Sequence, residues 1–320
     1  MSPKIEAGPA WHDSTEGELN MFTGCGTALV TPFRQDYSLD ETALRRLVRR
    51  QIHAGINFLV PCGTTGENPT LTRTEHLRVV EITLEEAKGK IPVLAGAGGY
   101  NTTEVIELAE ELKAVGVDGV LSVTPYYNKP TQEGLYQHYK AIATAVSLPI
   151  VVYNVPGRTG VNLEPATLKR LTEVDNIAGV KEASGNIGQM ASILNQVPDW
   201  FNVLSGDDAI TLPLIALGGR GVISVVSNEI PAEMMRLTQL CLSHDFSAAR
   251  ELQRKYLPLM EINFVESNPI PVKAAMALMG LLEPVWRLPL VPPKPENLAK
   301  IRNVLESLGL LEKAHAARRN

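Results

Sequence analysis

The sequence predicts an α/β protein: a single (β/α)8 barrel with a C-terminal helical appendage. Eight short apolar runs rich in β-branched residues recur at a spacing of about 28 residues, the length of one βα unit. Between them lie amphipathic segments whose apolar positions return every three or four residues. Polar residues of chemical interest gather at the C-terminal ends of the apolar runs, where barrel enzymes build their sites. A doubly wound open sheet shares the same alternation and is the rival architecture.

The runs are TALVTPF from Thr27, INFLVPCGTT from Ile56, IPVLAGA from Ile91 and GVLSVTPYY from Gly119. They continue with PIVVYNV from Pro149, IAGVKEAS from Ile177, FNVLSGDD from Phe201 and GVISVVSN from Gly221. Each is nearly continuously apolar, as a parallel strand covered on both faces must be. Helices are predicted over 41–53, 74–88 and 103–115, several opening on Asp, Thr or Ser and closing near Gly. Past the eighth run, 247–261, 270–280 and 295–308 also read as helices, separated by the proline-rich SNPIP and RLPLVPPKP. The chain therefore divides into an extension over 1–20, a catalytic barrel over 21–244 and a helical region over 245–320. The extension is polar, aperiodic and interrupted by Gly and Pro, so disorder is expected, with Met21 opening the first recognisable structure.

Composition excludes several classes of function. Net charge is −5 with acidic and basic residues interspersed, which offers no patch for nucleic acid. No apolar run approaches the roughly 18 residues of a membrane span, and the first twenty residues lack a signal peptide's apolar region. Cys25, Cys62 and Cys241 are too few and too scattered for a disulfide framework or a zinc site, which suits a reducing compartment. Cys62, beside a turn motif, reads as a small buried strand residue in preference to a nucleophile. The six histidines have no ligand spacing, no Walker or HExxH motif occurs, and GAGGYN over 96–101 has Asn where a dinucleotide fingerprint needs its third Gly.

Lys181 is the sharpest candidate. Strand alternation puts it on the face of Ile177 and Gly179, toward the barrel interior, with Glu182 pointing the other way. Burial disfavours an ammonium and lowers its pKa, making a neutral amine available to attack a ketone. The bland alternative is a lysine that snorkels out or pairs with an acid. Tyr153 ends strand five and is suited to proton relay, or simply to packing with a satisfied hydroxyl. Arg158 follows on a Pro-Gly turn, placed to fork onto a carboxylate or to stand as a solvated loop charge. In GTTGE over 63–67 the glycines permit close backbone approach, and Thr64 and Thr65 offer donors to an anion; capping is the alternative, expected of Glu67 in any case. Tyr126 and Tyr127 end strand four, so one is expected to face the site and the other an interface. Asp207 and Asp208 fit turn and helix capping better than cation binding.

GTTGE, TPYYNKPTQEGLYQH, YNVPGRTG, GVKEASGN, LSGDDA and GVISV, in this order, closely resemble the 4-hydroxy-tetrahydrodipicolinate synthase family, from about Met21 to the C-terminal helices. Any one motif is weak; six in register are specific. The resemblance implies a cytoplasmic enzyme that condenses pyruvate with aspartate semialdehyde through a Schiff base on Lys181, with no metal or organic cofactor. It implies a proton relay of Thr64, Tyr153 and Tyr127, the last reaching in from a neighbouring subunit of a homotetramer of tight dimers. Arg158 would hold the semialdehyde's carboxylate and Thr65 that of pyruvate, with Gly206 and Ile223 at the same pocket.

Lysine-inhibited members bind that effector at the tight-dimer interface through positions matching Asn68, Pro69, Arg73, His76, Gly98, Tyr100, Glu104 and Tyr126. His76, Glu104 and Tyr126 fit that pattern, whereas position 100, usually asparagine, is Tyr100 here. Two rival readings remain. One is another pyruvate-dependent aldolase, such as an N-acetylneuraminate lyase or a 2-keto-3-deoxy sugar-acid aldolase; sialate lyases typically lack the arginine of YNVPGRTG. The other is a silent binding protein that keeps the barrel.

Overall fold

The computed structural model describes residues 21–311. The extension over 1–20, with the disorder expected of it, and His12 and His315 lie outside those residues. Eight parallel strands follow one another around a barrel: β1 (Gly24–Ala28), β2 (Phe58–Val60), β3 (Leu94–Gly96), β4 (Gly119–Val123), β5 (Ile150–Asn154), β6 (Ile177–Glu182), β7 (Asn202–Ser205) and β8 (Gly221–Ser224). Pairing runs β2-β1-β8-β7-β6-β5-β4-β3, and a parallel bridge between Leu59 and Val93 closes the ring. Closure leaves no free edge and rules out the open-sheet rival.

The helices form where caps and apolar stripes coincide. Helix α1 (Glu41–His53) starts on Asp40, whose side chain accepts the Ala43 amide. Helix α2 (Arg73–Ala87) opens with a reciprocal capping box between Thr72 and Glu75, so it begins one residue before the predicted span. Helix α3 (Thr102–Val115) is capped by Asn101 and stopped by Gly116 in the left-handed region. Further along come α4 (Gln132–Ala145), the single turn α5 (Pro156–Thr159), α6 (Pro165–Leu171), α7 (Ile187–Leu194), α8 (Thr211–Ala216) and α9 (Pro231–Leu242). Helices α10 (Phe246–Ile262), α11 (Ile270–Leu278) and α12 (Pro295–Ser307) match the three C-terminal segments to within two residues. Among the described residues no helix is long and apolar enough to cross a membrane.

Alternation sorts the strand residues into two layers. Val152, Val180, Val203 and Val222 join the large cluster under the helices. Val151, Tyr153, Leu204 and Ile223 fill the barrel interior with Phe22 and Phe58. Three expectations need correction here. Ile177 belongs to the outer layer, not to the face of Lys181, because a register shift pairs Ile150 with Ile177 but Val151 with Gly179. That irregularity inserts Ala178 and resets the alternation ahead of the lysine. Cys62 is buried but lies past β2 in a turn with φ of 56°, and the TPF of the first run likewise falls outside β1. Tyr126 and Tyr127 stand beyond the end of β4, so strand alternation does not orient them; Tyr127 instead has a left-handed φ of 64°.

Candidate active site

The C-terminal ends of β2 to β5 surround a cavity of about 180 Å³ lined by Thr64, Leu121, Tyr126, Tyr153, Val155 and Arg158 among others. Lys181 is 5% exposed, stands directly across from Tyr153 in the β5–β6 ladder, and holds its Nζ 4.3 Å from the centroid of the Tyr153 ring. An ammonium gains from the face of an aromatic ring, but the surroundings are otherwise dry. Burial brings the lysine down to about 8, against an opposing pull from Asp208 and a further push from Arg158. Gly206 makes room for it: a Cβ there would lie 2.5 Å from Ala183 Cβ and 3.2 Å from Lys181 Cε. Burial raises the Tyr153 phenol, while Arg158 and a hydrogen bond with Thr64 draw it back.

This electrostatic setting makes a pH prediction. Only the neutral amine attacks a carbonyl, and its fraction grows as pH rises through the lysine's folded value. The initial rate of reducible adduct formation with a small 2-oxo acid should rise about fivefold from pH 7 to pH 8 and flatten above pH 9. Stopped-flow absorbance or quenched borohydride trapping measures it; a flat profile over that range would contradict the assignment.

Thr65 is buried, and its Oγ1 accepts the Asn268 side-chain amide at 2.9 Å. Arg158 Nη2 donates to the backbone carbonyl of the same Asn268 at 3.0 Å. Asn268, in the turn between α10 and α11, thus bridges the GTTGE loop and the arginine. Sequence reasoning missed it, since nothing in SNPIP marks a residue that folds over a barrel mouth. The structure brings Thr64, Tyr153 and Arg158 together on the cavity wall; Lys181 lies behind it against the Tyr153 ring, Gly206 beside Lys181, and Thr65 joins Arg158 through Asn268. It does not bring Tyr127 there: the residue is 89% exposed and is not on this cavity's wall. Ile223 has no exposed surface and packs beside Tyr153 in the barrel interior, not on the wall.

Two carboxylates differ from expectation. Glu67 makes no capping bond; it is fully buried, ion-paired with Lys273 of α11, and accepts the Arg287 amide. Asp207 does cap, accepting the Ala209 amide, but Asp208 is buried and its Oδ2 accepts the Val225 and Val226 amides at 3.0 and 2.9 Å, tying β7 to the turn after β8. Burial lifts Asp208 to about 6. Among the described residues no group of three or more His, Cys, Asp or Glu side chains could hold a metal ion.

A second cavity of about 320 Å³ shares Asn68, Pro69, Gly98 and Tyr126 with the first and adds Arg73, His76, Tyr100 and Glu104. His76 is buried with Nδ1 3.0 Å from Asn68 Oδ1, and burial lowers it to about 4. The Tyr100 ring meets Tyr126 edge-on at 5.1 Å.

A buried lysine of lowered proton affinity at the mouth end of a closed β/α barrel, facing a tyrosine with an arginine nearby, is the arrangement of a lysine-dependent carbonyl-condensing lyase. Residues 21–308 match the dihydrodipicolinate synthetase family model, and the chain belongs to that family. A relative from Koribacter versatilis (strain Ellin345), a 4-hydroxy-tetrahydrodipicolinate synthase, is 54% identical over 295 residues, covering 92% of this chain and 98% of the relative. The structure of the chloride-inhibited dihydrodipicolinate synthase from Acinetobacter baumannii complexed with pyruvate superposes with a TM-score of 0.89 at 44% identity, covering 90% of this chain and 99% of that one. The lysine-bound enzyme from Cyanidioschyzon merolae gives a TM-score of 0.88 at 40% identity, with coverages of 91% and 99%.

Proposed function

We propose that the chain condenses pyruvate with L-aspartate 4-semialdehyde to 4-hydroxy-tetrahydrodipicolinate, with Lys181 as the covalent catalyst. The observation that carries this reading is the desolvated amine held over the ring of Tyr153, which together with Arg158 lines a small cavity. The neutral amine adds to the ketone of pyruvate, and loss of water from the carbinolamine leaves an iminium. The iminium draws electrons from the methyl group, which loses a proton to become an enamine. The enamine carbon bonds to the aldehyde carbon of the semialdehyde. The amino group of that substrate then attacks the iminium, closing the ring and freeing Lys181.

Thr64 and Tyr153, already hydrogen-bonded, carry protons to and from the carbinolamine oxygen. Thr65 and the adjoining backbone take the carboxylate of pyruvate, and Arg158 that of the semialdehyde. Gly206 leaves room for the lysine's side chain, and Ile223 packs in the barrel interior with Tyr153. The chain works without a metal or organic cofactor, because the iminium supplies the electrophilic activation. Its three cysteines are free and buried, which supports a reducing cytoplasmic setting. A direct test compares turnover of pyruvate plus aspartate semialdehyde with cleavage of N-acetylneuraminate. Rapid turnover of the first and none of the second is expected; the reverse would assign the chain to the other aldolases.

The assembly we propose is a homotetramer built from tight dimers, with Tyr127 completing the relay of a neighbour. Its exposure and left-handed backbone support a side chain presented outward. A Tyr127→Phe chain and a Lys181→Ala chain should each be nearly inactive alone. Co-refolded hybrids should regain activity, because one site in a mixed pair has both an intact lysine and an intact tyrosine. Confirmed hybrids without recovery would place Tyr127 in its own chain's chemistry or in none.

We propose that the second cavity is the counterpart of the effector site of lysine-inhibited members, and that it responds weakly or not at all to L-lysine here. Glu104 already accepts the Asn101 side-chain amide at 2.9 Å, Arg73 is paired with Glu111 at 2.8 Å, and Tyr100 supplies no side-chain amide for a carboxylate. A missing hydrogen bond to a charged group is worth roughly 1.5–3 kcal/mol, or about ten- to a hundredfold in affinity. Initial rates titrated with L-lysine should therefore show little inhibition below millimolar concentration, and Tyr100→Asn should increase sensitivity. Strong sub-millimolar inhibition of the unmodified chain would overturn this.

A further inference from the structure

Behind the reacting face of β5 and β6 lies a polar cluster that the chemistry above does not use. Glu182 follows Lys181 and points to the opposite face, where it has no exposed surface. Its partners there are neutral donors: Oε1 accepts the Ser184 amide at 2.8 Å and Oε2 accepts the Asn154 side-chain amide at 2.9 Å. Asn154 is also fully buried and directly follows Tyr153 at the tip of β5. Its Nδ2 donates to Asn162 Oδ1 at 3.0 Å as well, and its Oδ1 accepts the Leu163 amide at 2.9 Å. Asn162 in turn exchanges hydrogen bonds with Gln189 of α7 at 2.8 and 3.1 Å, and its carbonyl accepts the Gln132 side-chain amide at 2.7 Å.

The cluster therefore joins three things that the reaction needs in fixed relation. These are the residue beside Lys181, the residue beside Tyr153, and the far end of the 155–163 loop that presents Arg158. We propose that Glu182 and Asn154 are a positioning pair: their hydrogen bond holds the amine and the phenol in register and anchors the arginine loop. The proposal rests on the assignment of Lys181, Tyr153 and Arg158 made above. A carboxylate suits the place because both of its oxygens accept, and bonds to a charged acceptor are shorter and stronger than neutral ones. An amide at position 182 must turn a donor toward Asn154 or toward the Ser184 amide, so one contact breaks. A displacement of the order of 1 Å at a reacting group costs up to about a hundredfold in rate.

Glu182→Gln should lower kcat by about tenfold or more and raise KM for the semialdehyde, while borohydride still traps one pyruvate per chain at Lys181. The exchange variant Glu182→Gln/Asn154→Asp returns an amide–carboxylate pair in the opposite sense, and the flanking amides of Asn162 and Gln189 can rotate to suit. It should recover most of kcat, which a purely structural loss would not. If Glu182→Gln does not fold, Asn162→Ala at the cluster's edge provides the measurement: KM for the semialdehyde should rise severalfold with pyruvate trapping unchanged. Wild-type kcat and KM in Glu182→Gln, no recovery in a folded exchange variant, or an unchanged KM in Asn162→Ala would overturn the positioning pair. Failure of the unmodified chain to trap pyruvate would instead overturn the assignment of Lys181, and the pair with it.

Discussion

Lys181→Ala should abolish pyruvate trapping and reduce turnover by at least about a thousandfold, a barrier increase of roughly 4 kcal/mol. The size follows from what the residue supplies. Without the imine, the methyl protons of pyruvate are released only against a neutral ketone, and no other side chain can replace that electron sink. Tyr153, Thr64 and Arg158 would still bind and orient substrate, so KM should change far less than kcat. Mass spectrometry of borohydride-treated protein should find one reduced pyruvate per chain at Lys181 and none elsewhere. A labelled lysine at any other position, or substantial activity in the alanine variant, would end the Schiff-base assignment. Stability should not fall in parallel, because removing a desolvated amine relieves a buried polar group; unchanged thermal unfolding would separate loss of chemistry from loss of fold.

Lys273→Met should have the largest effect on stability. Lys273 and Glu67 are both fully buried and paired, with the lysine's Nζ 4.5 Å from the centroid of the Phe33 ring. Burial depresses the lysine's proton affinity, and Glu67 opposes that shift through its charge and its hydrogen bond. Removing one partner strands the other charge in a dry interior, which costs about 3–5 kcal/mol. For a barrel of this size that corresponds to a fall in Tm of about 5–8 °C. The double variant Glu67→Gln/Lys273→Met replaces both charges, and most of that loss should return. Calorimetry on the two variants tests this, and a double variant as unstable as the single would contradict it. The same pair joins the GTTGE loop to α11, so Lys273→Met should also weaken pyruvate binding, through Thr64 and Thr65.

The sequence alone carried the barrel, its eight strands in order and the ends of six helices to within two residues, because these depend on local patterns. Caps such as Asp40 and Thr72 act within three residues of where they stand, and apolar period decides which face is buried. Lys181, Tyr153, Arg158 and the threonines stood out as candidates because each is a polar residue at or just past the end of an apolar run, and the motifs around them, not position alone, favoured the chemical reading.

What only the tertiary structure decided lies in contacts between residues far apart along the chain. Lys273 meets Glu67 across 206 positions, Asn268 meets Thr65 across 203, and Arg158 meets Asn268 across 110. No periodicity links such partners, so a buried lysine on α11 reads as an ordinary helix residue and a buried glutamate as a cap. The irregularity before Gly179 is invisible for a related reason: it is set by how β6 registers against β5, and it moved Ile177 to the outer face while leaving Lys181 inside. Local pattern places the reactive groups on their strands. Long-range pairing then decides which buried charges hold those strands and loops together around them.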